Sequence, residues 1–189
     1  MNKQVWIEKA LGLGIQEFEI YQSTTVEKEM TWFQGQMDTL VSSKVTGTSI
    51  RGIVDGKMAN MALEEIDDSM CETVLKSLIA QAHIISNEET DSLRKPEPIE
   101  YVKKDVTWNM ASTEYVKNIL QSLEAKILAY DPRVIQVGYL GYSQGSGSRS
   151  IVNSLGMDVQ DADEMQYIVA SVVVKEEEEV KDASLVEVV

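Results

Sequence analysis

The pattern Gly-x-Ser-x-Gly occurs at Gly141, Ser143 and Gly145. In α/β-hydrolases it marks a nucleophilic serine on a sharp turn between a strand and a helix, with the catalytic histidine later in the chain. Here GSGSRS and a further strand follow Ser143, and each interior glycine disfavours a helix by about 1 kcal/mol relative to alanine. The only histidine, His83, precedes the serine. We therefore predict that the glycine-rich stretch joins two strands and that Ser143 is not a nucleophile.

Neither His83 nor Cys71 has suitable neighbours for a metal site. A zinc site on a helix uses two ligands one turn apart. The residues one turn from His83 are Ile79, Ala80, Ser86 and Asn87. One histidine and one cysteine cannot complete a His- or Cys-based site, although carboxylates alone could hold a hard cation weakly. We expect His83 at the boundary of its helix and Cys71, within the apolar stripe, to be a buried and unreactive thiol.

Two other segments have only a superficial likeness to ligand sites. GSGSRS lacks the Gly-Lys-Ser/Thr that cradles a phosphate, and a strand rather than a helix N-terminus follows it. The run Glu176 to Glu179 is expected to be solvated, as charge runs usually are. The sequence therefore predicts no catalytic, cofactor-binding or metal-binding residue in this chain.

Composition limits the classes of partner. The 189 residues, 43% of them apolar, suffice for one domain or two small ones. A net charge of -14 would repel a nucleic-acid backbone. A single cysteine excludes an internal disulfide and fits a reducing compartment. The N-terminus has no secretory signal, and no apolar run approaches the roughly 20 residues that span a bilayer. We expect a cytoplasmic protein that binds neither nucleic acid directly nor a membrane.

The first half predicts a helix, a meander and a second helix. Residues 2–13 have helical periodicity. A long strand then places Phe18, Ile20, Val26, Met30 and Trp32 on one face, with glutamates between them. The segment FQGQ predicts a turn before a strand at residues 37–43. Asp55-Gly56 predicts a hairpin between TSIRGIV and KMANMA, which gives four strands in all. The next helix is predicted from about residue 68 to 85.

The second half repeats this plan. A helix capped by Ser112 ends at Asp131-Pro132, and strands follow at about 133–142, 148–153, 157–161 and 166–175, with a turn at Asn153 to Gly156. The predicted class is α+β, with two related subdomains, each having helices packed on a mainly antiparallel meander sheet. The predicted divisions are 1–88 for the first subdomain, 89–111 for a polar linker and 112–189 for the second subdomain.

A longer pattern is more specific than these motifs. This pattern resembles the N-terminal domain of the TldD/PmbA family. It consists of Gly47-x-x-x-Arg51-x-x-x-x-Gly56-Lys57, followed by a helix with alanines at 80 and 82. Ala59 departs from it, since the family often has a second glycine after Gly-Lys.

The second half is also similar to this family. In this sequence Asp131-Pro132-Arg133 opens a strand, as in the family. The segment IVNSLGMDV contains the Asn-Ser-x-Gly turn that the family commonly shows. The resemblance covers nearly the whole chain, with the motifs in the same order and at the same spacing. The chain resembles PmbA-type members of the family more than TldD-type members.

The resemblance implies an intracellular peptidase system of bacteria or archaea. The family is described as modulating DNA gyrase and as maturing or degrading small peptides. TldD-type members resemble zinc metallopeptidases with a His-Glu-x-x-x-His helix after the N-terminal half, and PmbA-type partners generally lack it. No position here matches that motif, so no catalytic residue is carried over. Zinc is expected only in a TldD-type partner or in a C-terminal region that this chain lacks.

Two functional hypotheses follow. In the first, the chain is the non-catalytic N-terminal portion of a PmbA-like subunit, inactive alone, that shapes a peptide chamber and contacts a TldD-type partner or a second copy. Exposed strand edges would suit capture of unfolded peptides by strand addition. In the second, it is a stand-alone peptide- or protein-binding module without enzymatic activity. The last residues, acidic and then apolar, read as an interrupted strand and favour the first hypothesis, whereas a tail that folds back as a complete strand would favour the second.

Overall fold

The computed structural model describes residues 1–64, 66–86, 90–97 and 110–188. Among these residues the chain forms three α-helices and six strands, which confirms the predicted α+β class. In chain order the elements are α1 (Lys3–Gly12), β1 (Glu17–Phe33), β2 (Gln36–Val54), β3 (Lys57–Leu63), α2 (Cys71–Ala82), α3 (Thr113–Tyr130), β4 (Val134–Asn153), β5 (Asp158–Glu176) and β6 (Glu179–Val188). A single 3-10 turn, Asp68–Met70, precedes α2.

The strands form one sheet in the order β3-β2-β1-β4-β5-β6. Each half of the chain therefore contributes a three-stranded meander, and β1 and β4 are neighbours. The outer pairs are antiparallel: Val54 lies opposite Lys57 in β2–β3, and Glu176 lies opposite Glu179 in β5–β6. The predicted antiparallel meander is confirmed.

Two-residue turns close the first two hairpins where the sequence predicted them. Gln34 and Gly35 have φ values of 49° and 80°, and Asp55 and Gly56 have 49° and 74°. Positive φ at both central residues gives a turn whose twist matches that of the flanking strands. Glycine and aspartate adopt this region more readily than most residues, which explains why the local sequence was informative.

The predicted number of strands was wrong because three long strands, β2, β4 and β5, were each divided into two. Residues 37–54 belong to the single strand β2, so the first half has three strands rather than four. The stretch around Ser143 lies inside β4 and does not form the predicted connection. Likewise β5 unites the strands predicted at 157–161 and 166–175.

The glycines of β4 provide space for neighbouring side chains. A Cβ on Gly141 would lie 2.5 Å from the hydroxyl of Tyr139, and one on Gly147 would lie 2.8 Å from Asp163 Oδ1. Neither glycine has a positive φ. An extended strand with a close approach therefore accounts for Gly147, which the sequence interpretation placed in a connection between two strands.

The chain divides into two compact units. The first contains Met1–Thr24, Val45–Asp105 and Ser148–Ala162, and the second contains Thr25–Lys44, Val106–Gly147 and Asp163–Val189. The four longest strands contribute residues to both. The subdomain boundaries predicted from the sequence stay a prediction, and most of the predicted linker, residues 89 and 98–109, lies outside the described residues.

The first unit packs α1 and α2 around a shared apolar core. The indole Nε1 of Trp6 and the backbone N–H of Asn2 both donate to Asp68 Oδ1, at 2.9 and 2.8 Å. These donors hold the pKa of Asp68 below its ordinary value, since they stabilise the carboxylate. The largest buried core side chains here are Trp6, Ile15, Phe18, Ile20, Ile50, Leu75 and Leu78.

A buried ion pair interrupts the predicted alternation of β1. Glu19 was expected on the polar face but is only 2% exposed. Its carboxylate accepts hydrogen bonds from Arg51 Nε, at 2.9 Å, and from the Arg51 guanidinium Nη2. Asn153 Nδ2 donates to the other carboxylate oxygen at 3.3 Å. The buried charge is therefore paired, as burial of a carboxylate requires.

The second unit packs α3 on its strands. Ser112 caps α3 as predicted, because its hydroxyl accepts the backbone N–H of Tyr115 at 3.2 Å. The buried apolar core of this unit consists of Met30, Trp32, Val116, Leu120, Val137, Leu140 and Tyr142.

Candidate functional site

A groove lies between α3 and β5 in the second unit. It consists of three adjoining cavities of about 440, 290 and 370 Å³. The first two share Lys126, and the last two share Tyr130, Val134 and Val172. We call this surface the α3 groove. Its α3 side consists of Tyr115, Asn118, Ile119, Ser122, Leu123, Lys126, Ile127 and Tyr130.

The α3 groove exists because α3 carries more apolar surface than its core contacts cover. Val116 and Leu120 are fully buried. Tyr115 and Tyr130 remain 60% and 88% exposed on the same helix. The apolar positions of α3 are therefore divided between a face that packs on the core and a face that forms the groove wall.

The opposite wall comes from alternate residues of β5. Ile168, Val172 and Val174 line the cavities, because every second side chain of a strand points to the same face. The intervening residues, Val169 and Val173, point to the other face of the sheet. The alternation therefore gives the groove an apolar wall with a repeat of two residues.

Charged side chains surround one end of the α3 groove. Arg133 donates to Asp131 Oδ1 and Oδ2 at 2.9 and 3.0 Å, and to Glu176 Oε1 at 3.4 Å. The guanidinium lowers the pKa of Asp131 to about 2, chiefly through the side-chain hydrogen bond, so this carboxylate is ionised at neutral pH. Lys181 forms an ion pair with Glu179 at 2.9 Å beside the same cavity.

The charge of the groove differs from that of the whole chain. Its lining contains four cations, Lys126, Arg133, Lys175 and Lys181, and the three acids Asp131, Glu176 and Glu179. The protein as a whole has a net charge of -14. Within the described residues, Lys126 and Lys175 have no ion-pair partner. An occupant of the groove therefore meets apolar walls and a weakly cationic rim.

The residues singled out from the sequence do not assemble into a catalytic site. Ser143 lies within β4, half-buried, and its hydroxyl has no hydrogen-bond partner among the described residues. His83 ends α2 with its side chain 57% exposed, and its Nε2 lies 3.6 Å from Asp55 Oδ2. Cys71 is buried at the start of α2, as predicted. The glutamates at 176–179 are exposed and form the β5–β6 turn.

A buried polar cluster in β4 serves a structural purpose. Gln144 Oε1 accepts the backbone N–H of Ala111 and lies within hydrogen-bond distance of the Tyr142 hydroxyl, both at 2.9 Å. Gln144 Nε2 donates to Glu164 Oε1 at 3.0 Å. Burial raises the pKa of Tyr142, so its hydroxyl stays protonated at neutral pH. This cluster holds the segment before α3 against β4 and offers no activated nucleophile.

No side-chain set in the described part of the chain suits zinc. In those residues, no group of three or more His, Cys, Asp or Glu side chains could hold a metal ion. The predicted absence of metal and catalytic residues stays a prediction. Nor is any helix in that part of the chain long and apolar enough to cross a bilayer.

Two family models match the chain in succession. Residues 18–85 match the PmbA/TldA metallopeptidase domain 1, and residues 107–185 match the central domain of the same family. A search of curated proteins found no significant match.

Solved structures share the fold. A protein of Thermotoga maritima described as a candidate modulator of a DNA gyrase superposes with a TM-score of 0.79 at 17% identity, covering 98% of this chain. TldE of Thermococcus kodakarensis gives 0.79 at 18% identity, and a Bacteroides thetaiotaomicron protein described like the first gives 0.72 at 18%. Both superpositions also cover 98% of this chain. This chain spans only 42–43% of the length of these three proteins.

Proposed function

Because the chain belongs to the PmbA/TldD metallopeptidase family, we propose that it is the non-catalytic N-terminal portion of a peptidase-family subunit. In this proposal the chain shapes part of a peptide chamber and contacts a TldD-type partner or a second copy. The observation that carries it is the succession of the two family domains over residues 18–85 and 107–185. Zinc and the catalytic groups would be supplied by a TldD-type partner or by the rest of a longer subunit.

The α3 groove supplies a surface for peptide. An extended peptide presents alternate side chains at a repeat that matches the wall of β5 residues Ile168, Val172 and Val174. The apolar walls favour burial of aliphatic or aromatic side chains, at roughly 25 cal/mol per Å² of apolar surface removed from water. The groove is therefore suited to unfolded peptides, whose apolar side chains are accessible.

The rim charges narrow the class of peptide. Outside the groove, the acidic surface of the protein would attract positively charged segments of a peptide. Around the α3 groove, Lys126 and Lys175 favour a carboxylate at or near the end of the peptide. The proposed ligand is therefore an extended, largely apolar peptide with a free or side-chain carboxylate.

Peptide binding can be tested without the rest of the peptidase. The probe is a short fluorescein-labelled peptide of alternating leucine and threonine with a free C-terminal carboxylate, followed by fluorescence anisotropy. The wild-type chain should bind it saturably. Val172→Glu should weaken binding at least about tenfold, because a carboxylate would then stand in the apolar wall of the groove.

A matched control comes from the same strand. Val169 is half-buried like Val172 but points to the other face of β5. Val169→Glu should leave affinity within about twofold of the wild type, with thermal melting used to verify that both variants are folded. Absence of saturable binding by the wild type, or equal losses in the two variants, would overturn the proposed role of the groove.

A further inference from the structure

A separate cavity lies in the first unit, on the face of the sheet that points away from α1 and α2. Phe18 and Ile20 of β1 are buried with these helices, so Tyr21 points to the opposite face. The cavity has a volume of about 340 Å³, within the range of small-molecule sites, and is bounded by Tyr21, β4 and β5. We call it the β4–β5 cavity.

Three half-buried side chains give the β4–β5 cavity an apolar lining, namely Tyr21, Ile151 and Val159. The backbone N–H of Asn153 donates to the carbonyl oxygen of Met157 at 3.0 Å. In an antiparallel pair this hydrogen bond sets the register in which Ile151 lies opposite Val159. These two residues therefore form a continuous apolar surface beside the ring of Tyr21.

Two side chains of opposite charge lie next to this apolar lining. The same register places Arg149 opposite Asp161, and both residues line the cavity and are exposed. Directly opposite residues of an antiparallel pair have Cβ atoms about 4.5–5.5 Å apart. Both side chains already interact with other groups of the protein. A ligand that replaces those interactions must therefore satisfy a cation and an anion together.

An α-amino acid carries the two required charges on one carbon atom. Its carboxylate suits the guanidinium of Arg149, which binds carboxylates with two parallel hydrogen bonds, and its ammonium group can donate to the carboxylate of Asp161. Such a ligand has no net charge, so the net charge of -14 on the protein does not repel it. A residue inside a peptide lacks both charges and a terminal residue has only one, which makes peptides poor ligands here.

We propose that the β4–β5 cavity binds a free α-amino acid with an apolar side chain. The ligand's carboxylate faces Arg149, its ammonium group faces Asp161, and its side chain packs on Tyr21, Ile151 and Val159. This site lies outside the α3 groove and does not depend on the proposed function.

Nuclear magnetic resonance titration with L-leucine tests the site directly. In the ¹⁵N-labelled chain, the backbone amide signals of Tyr21, Ile151 and Val159 should shift saturably, with half-saturation below about 1 mM. N-acetyl-leucine lacks the ammonium group and leucine amide lacks the carboxylate. Each should therefore bind at least about tenfold more weakly than leucine.

Two conservative variants assign the charges. Arg149→Gln and Asp161→Asn should each weaken leucine binding at least about fivefold. The advantage of leucine over leucine amide should disappear in Arg149→Gln, and its advantage over N-acetyl-leucine should disappear in Asp161→Asn. The matched control is Asp158→Asn, an exposed position of β5 that points to the other face of the sheet, and it should bind leucine within about twofold of the wild type. Thermal melting verifies that the variants are folded.

The outcomes separate this site from the α3 groove. Absence of saturable shifts at about 10 mM leucine, or equal binding of leucine and its two derivatives, would overturn the site. An advantage over leucine amide that persists in Arg149→Gln would overturn the role of that guanidinium. Loss of leucine binding in Val172→Glu would place the amino acid in the α3 groove and overturn the β4–β5 cavity. Failure of the labelled peptide to bind, with leucine binding retained, would refute the groove alone.

Discussion

The indole Nε1 of Trp32 donates a 2.7 Å hydrogen bond to Glu124 Oε2, which joins β1 to α3 inside the second unit. Trp32 is 3% exposed and Glu124 is 8% exposed. The same carboxylate accepts the backbone N–H of Gly35 at 3.0 Å. One glutamate therefore fixes both the β1–β2 turn and the helix that forms a wall of the α3 groove.

Removal of this carboxylate should destabilise the protein. Glu124→Ala leaves the buried indole N–H of Trp32 without its acceptor, and we expect a loss of about 2 to 3 kcal/mol in the free energy of unfolding. Urea denaturation followed by circular dichroism measures it. Gln121→Ala, an exposed position of the same helix, should change stability by less than about 0.5 kcal/mol.

A double-mutant cycle identifies the bond itself. Trp32→Phe removes the indole donor, so the cost of Glu124→Ala should be clearly smaller in that background. Equal costs in both backgrounds would show that the hydrogen bond does not contribute to stability.

Two glycines of β2 should respond differently to the same substitution. A Cβ on Gly52 would lie 2.8 Å from Leu78 Cδ2 and 3.0 Å from Ile15 Cγ2, whereas one on Gly47 would meet only Ser23 Oγ at 3.7 Å. Gly52→Ala should therefore destabilise the protein by roughly 1 to 3 kcal/mol through overpacking. Gly47→Ala should be neutral or slightly stabilising. Thermal melting compares them, and equal shifts would contradict the close packing of α2 on β2.

Ser143 should be dispensable as a nucleophile. It lies in a continuous strand, and no base among the described residues bonds to its hydroxyl, so Ser143→Ala should leave folding and peptide binding unchanged. A fluorophosphonate probe should not label the wild type at this position, as intact-protein and peptide mass spectrometry would show. Stoichiometric labelling of Ser143 would contradict this assignment.

Cys71 should make stability fall at alkaline pH. Burial raises the pKa of its thiol above the ordinary value of 9.0. As pH rises, the Cys71 thiol therefore ionises in the unfolded chain before it does so in the folded protein. The contribution of the buried, protonated thiol to the free energy of unfolding is complete below pH 9.0 and is lost as pH rises through the folded pKa. Between about pH 8 and pH 10, Cys71→Ala should lose less stability than the wild type. Parallel pH profiles for the two proteins would show that Cys71 does not ionise differently in the two states.

The sequence was most informative where one residue type is required by local geometry. Gly35 and Gly56 adopt positive φ in two-residue turns, and Ser112 caps α3. Each was predicted because few other residues fit. The turn at Glu177, with φ of 53°, has no such residue. The tail after it was interpreted as an interrupted strand, but Glu179–Val188 folds back along β5 as a complete strand, which is the arrangement expected for the second hypothesis.

Other features depended on contacts that a single sequence does not display. Gly147 was interpreted as part of a connection between strands because glycine is uncommon in strands, yet Asp163 occupies the space beside it. Glu19 was placed on a solvated face, because its pairing with Arg51 joins residues far apart in the sequence. The α3 groove was missed for the same reason, since helical periodicity alone does not reveal which part of an apolar stripe the sheet covers.

Zinc content and peptidase activity of the purified chain test the central claim most directly. Metal analysis by mass spectrometry should find far less than one zinc per chain, and fluorogenic peptides should remain uncleaved with or without EDTA, because the proposal assigns the catalytic groups to a TldD-type partner or to the rest of a longer subunit. Stoichiometric zinc together with EDTA-sensitive cleavage in a homogeneous preparation would contradict the assignment of this chain as the non-catalytic portion of a peptidase-family subunit.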